Sequence, residues 1–473
     1  MRTIVIGGGI TGLVAAHRLR QGSHVTLLEA AGSCGGHVMT AREAGFVVEA
    51  GPNGFLDRDR EPEPMALLRE LGLEGALVQA RPSAKRRFVL RGGRLRLVPA
   101  SPVSLLASDV LSPAGKLRLA MEPFIPPAAG GAGETVHAFA TRRLGSEAAD
   151  VLVDAAVSGI SAGDSRALDV AAAFPQMPAM EREHGSLLKA MLARRERPPR
   201  LVSFAGGMQA LTGALVERLC GAMRLRARAV RVEREAGIWR VTLCDRRVFE
   251  AERLVLAIGA SHAAKLFRDF DPGLARALAG FPHAGLAVVA MAFRESDVPR
   301  ALDGYGYLAT RDEGMDTLGV VWESSLFEGR APAGHVLLRA MLGGARRPDL
   351  AHLDEAALAA RARAELSHVM GIRVPPVRTW VWRWPRAITQ YTCGHLERVA
   401  HVRALAAQHP GLELCGTSYD GISFTAAILS AERAAARVLA PPASSPEPAP
   451  ERSAPDPLPP QTDFLLTETA RAV

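Results

Sequence analysis

A glycine turn near the N-terminus constrains this chain more than any other feature of its 473 residues. Gly7, Gly9 and Gly12 follow the short apolar run 3–6 at the spacing G-x-G-x-x-G. In this pattern the first glycine permits a tight turn, the second lets the backbone approach a pyrophosphate, and the third brings the next helix close to the strand. The pattern predicts a buried parallel strand that leads into a dinucleotide-binding turn.

An acidic residue supports this interpretation. A second strand, predicted over residues 24–28, ends at Glu29, about twenty residues beyond the turn, where a carboxylate can accept hydrogen bonds from the ribose. The N-terminus of the helix between the two strands would direct free N–H groups at the phosphates. The turn alone does not distinguish NAD from FAD. Gly35 and Gly36, together with residues 46–52, resemble the extended FAD fingerprint of the flavin amine oxidase superfamily. That family usually has an arginine where this chain has Ser33.

The overall composition limits the number of domains, the class of ligand and the cellular location. The length indicates two or three domains, and 48% apolar residues suffice to bury their cores. The net charge of +8 suits an anionic ligand or a membrane surface, whereas no recognisable motif supports nucleic acid binding. Five widely spaced cysteines with no C-x-x-C pair argue against a metal site and favour a reducing, cytoplasmic location. No apolar stretch is long enough to span a bilayer, which leaves peripheral membrane contact open.

Beyond the first strands, the pattern of apolar residues, glycines and prolines predicts several further segments. Residues 84–99 predict a hairpin rich in arginine, which is either a solvated strand face or a carboxylate-binding surface. Proline-broken helices are predicted over about 101–200, and residues 103–124 mix apolar and basic side chains as an interfacial helix would. Residues 157–164 are predicted to form a loop of small residues. Four further runs predict a mainly antiparallel sheet with substrate contacts: 287–293, 304–310, 318–322 and 336–342.

These elements define an α/β fold class. We expect a Rossmann-like FAD-binding domain with an inserted substrate-binding α+β domain and a helical region that could face a membrane. The predicted segments are FAD-binding at 1–95, 201–285 and 379–440, the helical region at 96–200, the substrate-binding sheet at 286–378, and a disordered tail at 441–473.

Over nearly its whole length apart from the tail, the chain resembles the protoporphyrinogen oxidase family. The resemblance rests on residues 51–56, 85–102, 159–164, 204–211, 304–308, 341–344 and 383–385, and most specifically on Gln390-Tyr391 followed by residues 394–399. It implies non-covalent FAD, a porphyrinogen substrate, and oxygen as the electron acceptor. In this family a ring carbon gives a hydride to flavin N5, oxygen is reduced to hydrogen peroxide, and no catalytic protein residue is required. Whether the protein forms a homodimer stays open.

The resemblance also implies roles for individual residues. Arg96 corresponds to an arginine that pairs with a substrate propionate, and Asn53, Gly306, Leu308 and Met341 correspond to pocket-lining positions. Plain core packing is the alternative for Leu308 and Met341. The FAD contacts implied by the glycine unit and by the resemblance are Gly7, Gly9, Gly12, Glu29, Gly35, Gly36, Gly51, Ala229, Gly416, Gly421, Ile422 and Ser423.

Several residues depart from the family pattern and keep other functions open. Thr389 replaces a proline, Ser161 replaces a tyrosine, and Ser423 replaces a glycine that would let the backbone approach the flavin. The main prediction is oxidation of protoporphyrinogen IX in haem biosynthesis. Coproporphyrinogen III oxidation and a non-catalytic porphyrin-binding paralogue are the alternatives, while an amine oxidase or a carotenoid desaturase should lack residues 394–398 of the signature.

Overall fold

A computed structural model describes residues 1–99, 102–128, 133–193 and 198–440. The tail predicted at 441–473 lies outside these residues. The described chain forms two compact units. Unit 1 contains Met1–Gly36, Leu211–Phe281 and residues 396–440, and unit 2 contains residues 37–210 and Pro282–His395 within the described ranges. Each unit is therefore assembled from separate stretches of the sequence.

Strands form the framework of both units. In chain order they are β1 (Arg2–Ile6), β2 (His24–Leu28), β3 (Thr40–Glu43), β4 (Phe46–Glu49), β5 (Phe55–Asp57), β6 (Leu77–Gln79), β7 (Phe88–Arg91), β8 (Arg94–Leu97), β9 (Arg200–Phe204), β10 (Met223–Arg224), β11 (Ala229–Glu235), β12 (Ile238–Leu243), β13 (Val248–Ala251), β14 (Arg253–Leu256), β15 (His283–Arg294), β16 (Gly306–Ala309), β17 (Thr317–Trp322), β18 (His335–Gly344), β19 (Arg378–Thr389) and β20 (Leu412–Leu414).

Helices connect and cover these strands. The α-helices are α1 (Ile10–Leu19), α2 (Glu63–Glu70), α3 (Pro102–Ala107), α4 (Pro113–Ala120), α5 (Val136–Leu144), α6 (Ser146–Ala148), α7 (Asp154–Ser161), α8 (Val170–Ala173), α9 (Gln176–His184), α10 (Leu187–Ala193), α11 (Gln209–Arg218), α12 (Ala260–Phe267), α13 (Pro272–Ala279), α14 (Glu323–Leu326), α15 (Glu355–Met370), α16 (His395–Ala406) and α17 (Phe424–Leu439). One π-helical turn, Ala149–Val153, leads into α7, and short 3₁₀-helices occupy Glu74–Ala76, Pro82–Lys85, Glu122–Phe124, Glu295–Asp297, Arg311–Glu313 and Pro348–His352.

Unit 1 is built on a five-stranded parallel sheet. Its strand order is β10-β2-β1-β14-β20, so the first strand of the chain lies at the centre. Val5 pairs with Leu27 on one side and with Val255 on the other, and all three side chains are buried. Continuous apolar strands of this kind are typical of a parallel sheet that is covered on both faces. The predicted Rossmann-like core is therefore present, with the antiparallel sheet β11-β12-β13 beside it in the same unit.

Unit 2 is built on a seven-stranded sheet. Its order is β19-β15-β18-β17-β16-β7-β8, and its strand pairs are antiparallel except for β16 with β7. The predicted arginine-rich hairpin forms β7 and β8 and joins this sheet. Alternate residues such as Tyr307, Val320 and Ala340 face a core that also contains Leu358 and Leu366 of α15. The period of two residues along a strand leaves the other face for different contacts.

The helical part of unit 2 differs from the sequence prediction at one point. The residues predicted as a loop at 157–164 are helical as far as Ser161, where α7 ends in left-handed Ala162. Gly159 lies inside this helix and faces the side chain of Leu308, so its small size serves packing between helix and sheet. Among the described residues, no helix combines the length and the apolar character needed to cross a bilayer.

A buried ion pair stabilises the start of unit 2. Glu49 at the end of β4 and Arg330 are each about 1% exposed, and Nη1 of Arg330 lies 3.1 Å from Oε1 of Glu49. The Glu49 carboxylate also accepts hydrogen bonds from the Thr40 hydroxyl and the Met208 N–H, while Arg330 donates to Ser203. Burial raises the pKa of Glu49, with Arg330 opposing that effect. The carboxylate therefore depends on its partners for stability in this setting.

We predict that Arg330→Met destabilises unit 2 strongly, because it leaves the Glu49 charge buried without its counterion. The expected loss is about 3–5 kcal/mol of unfolding free energy. Urea denaturation followed by circular dichroism measures the change. Arg347→Met, which removes an exposed arginine paired with Asp316 and Asp349, is the matched control and should hardly shift the midpoint. Equal midpoints for the two variants would contradict the stabilising role of the buried pair.

Candidate functional site

The glycine turn of unit 1 brings helix α1 unusually close to strand β1. A Cβ atom placed on Gly12 would lie 1.8 Å from the carbonyl oxygen of Gly7. Gly7 has a φ of 109° and its N–H donates to the Leu28 carbonyl oxygen. Only glycine fits at both positions, because any side chain at Gly12 would push the helix away from the strand.

The backbone at Gly9 faces open space. A Cβ atom placed there would meet no atom within 4 Å. Gly9 is also the N-cap of α1, which has no side-chain cap and no acidic residue in its first turn. The first N–H groups of α1 therefore have no capping side chain, an arrangement suited to an anion such as a pyrophosphate.

Glu29 and the second glycine pair adjoin this turn within unit 1. Oε2 of Glu29 accepts a hydrogen bond of 2.6 Å from the Gly8 N–H, and Oε1 accepts one of 2.6 Å from Ala31. The Gly35 N–H donates to the Gly8 carbonyl oxygen, and Gly36 lies against Gly9. Glu29 is thus held at the turn, where the ribose of a dinucleotide would lie.

Two cysteines of unit 1 lie in settings that suppress thiolate formation. Burial, followed by the nearby charge of Glu29, raises the pKa of the Cys34 thiol to about 11. Burial also raises the pKa of Cys415, which is fully buried at the end of β20. Both thiols are therefore poor nucleophiles at neutral pH.

The C-terminal glycine turn supplies the N-terminus of a second helix to unit 1. The Gly416 N–H donates to the Ser430 hydroxyl of α17, and Gly416 lies beside Thr11 of α1. The predicted cofactor residues Gly421, Ile422 and Ser423 lead directly into α17. Ser423, one of the departures from the family pattern, has an unstrained extended backbone, and its hydroxyl caps the helix by accepting from the Ala426 N–H. A serine is thus compatible with this backbone.

The remaining predicted cofactor residues lie elsewhere. Ala229 is the half-buried first residue of β11 in unit 1 and pairs with Leu243 beside a bulge. Gly51 belongs to unit 2, where the backbone of His37 lies too close for a side chain. The structure brings the other ten predicted FAD residues together around the two turns of unit 1.

Three predicted substrate residues lie in one cross-strand row of unit 2. Arg96 of β8 pairs with Val89, and Val89 pairs with Leu308 of β16. Leu308 pairs with Gly319, and Gly319 pairs with Met341 of β18. Paired residues place their side chains on the same side of a sheet. Arg96, Leu308 and Met341 therefore share one face, opposite the core covered by α15.

The two other predicted substrate residues adjoin the same face. Gly306 lies in the neighbouring row, which leads through β17 to Arg339 of β18. The buried Arg339 donates from Nε to Oε1 of Glu323 at 2.6 Å and from Nη1 to the Gly51 carbonyl oxygen at 2.7 Å. Asn53 donates to the same Glu323 oxygen at 3.3 Å. The other oxygen of Glu323 is buried with no hydrogen-bond partner among the described residues.

Arg339 and Glu323 were not among the residues predicted from the sequence. One signal was present, because Arg339 is a lone cation in the otherwise apolar run 336–342. A charged residue in a buried strand usually has a buried partner. The sequence did not indicate that this partner would be Glu323, sixteen positions earlier.

Arg96 has a local partner in the structure. Its guanidinium lines a cavity of about 710 Å³ in unit 2 and forms an ion pair with Asp109. Nη1 also donates to the Asp109 carbonyl oxygen at 2.9 Å, and Nε donates to the Arg91 carbonyl oxygen at 3.2 Å. A substrate carboxylate at Arg96 would therefore have to share or displace Asp109. The role of Arg96 in holding a propionate stays a prediction.

Comparison with known proteins identifies the family. The family model described as flavin containing amine oxidoreductase matches residues 10–439, and the chain belongs to this family. Protoporphyrinogen oxidase of Bos taurus is 31% identical over 472 residues, covering 92% of this chain and 98% of that protein. Coproporphyrinogen III oxidase of Propionibacterium freudenreichii subsp. freudenreichii is 32% identical, covering 92% and 90% of the two chains. A crystal structure from Exiguobacterium sp. 255-15, provisionally named a protoporphyrinogen oxidase, has a TM-score of 0.81 at 26% identity and covers 92% of this chain and 98% of its own.

The family match confirms the predicted flavin cofactor class, and the residues of unit 1 fit FAD. The open space over Gly9 leaves room for a pyrophosphate against the backbone, and the start of α1 supplies N–H donors. Glu29 keeps lone pairs for ribose hydroxyls beyond the two backbone N–H groups that it already accepts. That the flavin is held without a covalent bond stays a prediction.

We predict that Gly9→Ala separates folding from cofactor binding. The new methyl group meets nothing in the protein, so the thermal midpoint of the apoprotein should not fall, but it occupies the space that a pyrophosphate needs. FAD affinity should weaken at least about tenfold, which corresponds to about 1.4 kcal/mol. Titration of apoprotein with FAD measures this. Gly12→Ala is the contrasting variant, since its methyl group clashes with Gly7 and should impair folding. FAD affinity in Gly9→Ala equal to that of the natural chain would contradict this placement.

Proposed function

We propose that this protein oxidises a porphyrinogen with FAD and oxygen in haem biosynthesis, with protoporphyrinogen IX as substrate and hydrogen peroxide as by-product. The alternative substrate is coproporphyrinogen III. The single observation that carries the proposal is the assembly of Arg96, Leu308, Met341 and Gly306 on one face of the seven-stranded sheet. The relatives named above, which have one or the other activity in their names, add support.

We propose that one unit binds the cofactor and the other binds the substrate. Unit 1 holds the cofactor through its glycine turns and Glu29, and unit 2 holds the substrate on the sheet face described above. FAD would supply a hydride acceptor that oxygen reoxidises with formation of hydrogen peroxide, and solvent or a substrate nitrogen would take the proton lost from the macrocycle. On the proposed substrate face, Leu308 and Met341 are half-buried against apolar clusters, and their exposed parts would contact the ring system, while Arg96 would offer a charge to a propionate. No protein acid or base is needed in this scheme, and the protein positions the substrate.

Ser161 and Ser423, two of the departures from the family pattern, form hydrogen bonds that support local structure. The Ser161 hydroxyl donates to the Val157 carbonyl oxygen at 2.8 Å, and the Gln390 amide donates to the Ser161 carbonyl oxygen at 3.0 Å. Ser423 caps α17. Both serines therefore support local structure, and the relatives that are named oxidases favour a turning-over enzyme above a non-catalytic porphyrin-binding paralogue.

We predict that purified protein reconstituted with FAD converts anaerobically prepared porphyrinogen to fluorescent porphyrin once oxygen is admitted. Hydrogen peroxide should form in step with porphyrin, and the flavin absorbance should bleach when substrate is added before oxygen. Heat-denatured protein gives the rate of spontaneous oxidation as the control. Binding of porphyrinogen without flavin bleaching would favour the carrier, and oxidation of an amine without oxidation of porphyrinogen would favour an amine oxidase.

We also propose that an apolar ridge in unit 2 contacts a membrane peripherally. The ridge consists of Leu117 in α4, Met121 after it, and Phe124 at the end of the following 3₁₀-helix, with side chains that are 66%, 48% and 81% exposed. Their spacing of four and three residues suits one side of a helical segment. Lys116 and Arg118 lie on the same helix, where both are half-buried and donate to backbone carbonyl oxygens, so they add formal positive charge beside the ridge. A basic helix with exposed apolar side chains is suited to an anionic lipid surface.

We predict that Leu117→Asp with Phe124→Asp abolishes flotation with vesicles of phosphatidylcholine and phosphatidylglycerol. The introduced carboxylates remove the apolar contact and repel the anionic surface. The matched control carries Leu225→Asp and Val248→Asp, at exposed apolar positions in unit 1, and should float as the natural chain does. Size-exclusion chromatography of the same samples tests whether the ridge joins two copies instead. A natural chain that stays wholly unbound would contradict the membrane proposal.

A further inference from the structure

We propose that Asp109 determines substrate specificity by competing with the substrate's carboxylates for Arg96. Competition weakens capture of every propionate, and the Asp109 charge also repels the additional propionates of a more highly carboxylated porphyrinogen. The expected consequence is selection against such substrates. This inference rests on the proposed function and assigns a role to a residue outside the predicted site. It explains how one sheet face could favour protoporphyrinogen IX over coproporphyrinogen III.

The first argument is the geometry of the pair. The Arg96 guanidinium is held by two carbonyl oxygens, those of Arg91 and Asp109, so its position does not depend on the carboxylate of Asp109. The Arg96 side chain is 24% exposed, whereas the Asp109 side chain is 74% exposed. The cation is therefore fixed and the anion lies at the rim, where it can move into solvent. A displaceable carboxylate on a fixed arginine is an internal competitor for a carboxylate ligand.

The second argument is the charge of the cavity that Arg96 lines. Its three cations are Arg91, Arg96 and Lys116, and all three already donate to protein groups. Five carboxylates line the same cavity: Asp109, Glu147, Asp150, Asp312 and Glu313. Three positive and five negative charges leave a formal balance of −2. Each additional propionate brought to this cavity would face net repulsion, at short range from Asp109 in particular.

The third argument is that three of the four other cavity carboxylates have fixed structural partners. Glu147 accepts from Arg91 and from Ser112, and Glu313 accepts from the backbone N–H groups of Gly92 and Gly93. Asp150 pairs with His137 and Arg166. The carboxylate of Asp109 is the one that pairs with Arg96. Removal of the Asp109 charge should therefore leave the Arg96 guanidinium without a competing carboxylate, while the other charges of the cavity keep their partners.

The experiment compares kcat/KM for the two porphyrinogens in Asp109→Asn holoenzyme. The substitution keeps the shape of the side chain and removes its charge. The ratio of kcat/KM for coproporphyrinogen III to kcat/KM for protoporphyrinogen IX should rise about two- to fivefold over that of the natural chain. This is the size expected for an exposed ion pair. The change should lie mainly in KM, and it should shrink at high salt because screening weakens the same interaction. If only one of the two is a substrate, a lower KM for it is the expected result.

Two further variants make the test specific. In an Arg96→Ala background, Asp109→Asn should change the ratio less, because competition requires the arginine and only the direct repulsion between Asp109 and the substrate remains. Asp349→Asn, which removes the carboxylate of another exposed arginine pair in unit 2, should leave the ratio unchanged. An unaltered ratio in Asp109→Asn, or an equal change in the Asp349→Asn control or in the Arg96→Ala background, overturns the inference while the proposed function stands. Failure of the natural chain to oxidise either porphyrinogen overturns both.

Discussion

The close approach of helix α1 to strand β1 is the constraint on which unit 1 depends. The Gly7 carbonyl oxygen occupies the space where a side chain of Gly12 would lie, so the helix starts directly at the strand end. This approach leaves the N-terminus of α1 uncapped beside open space at Gly9, and it places the Gly8 N–H against Glu29. The C-terminal turn packs against the same helix through Gly416 and Thr11. One steric relation thus shapes the surface that suits a dinucleotide.

Unit 2 follows a different principle, the two-residue period of a β-strand. Along β16 and β18 one set of residues enters the core beneath α15, and the alternate set forms the face with Leu308, Met341 and Arg339. A single sheet can therefore provide both stability and a binding surface. The buried pair of Arg339 with Glu323 extends this logic, because it brings charge onto an apolar sheet while Arg339 neutralises Glu323 and bonds one of its two oxygens.

Arginines in unit 2 fall into classes that differ in burial. Arg330 and Arg339 are buried, and each pairs with a buried carboxylate. Arg96 is partly exposed and its carboxylate partner lies at the rim, so its pairing is exchangeable. Burial therefore separates arginines that support the fold from an arginine that can serve recognition. Composition alone, with its excess of basic residues, does not make that distinction.

The sequence alone determined the glycine turn, the strand that precedes it, the acidic residue after it and the alternating pattern of the later strands, because these depend on local steric rules and on short periods. It therefore predicted the Rossmann-like core and most residues around its turns. Only the tertiary structure decided that Arg96, Leu308 and Met341 share a row, since this requires strand β7 of the predicted hairpin to pair with the distant strand β16. The same holds for Glu323 beside Arg339, for Asp109 at Arg96, and for the helical state of Gly159 against Leu308. Each of these contacts depends on strand register and on long-range packing, which no local pattern encodes.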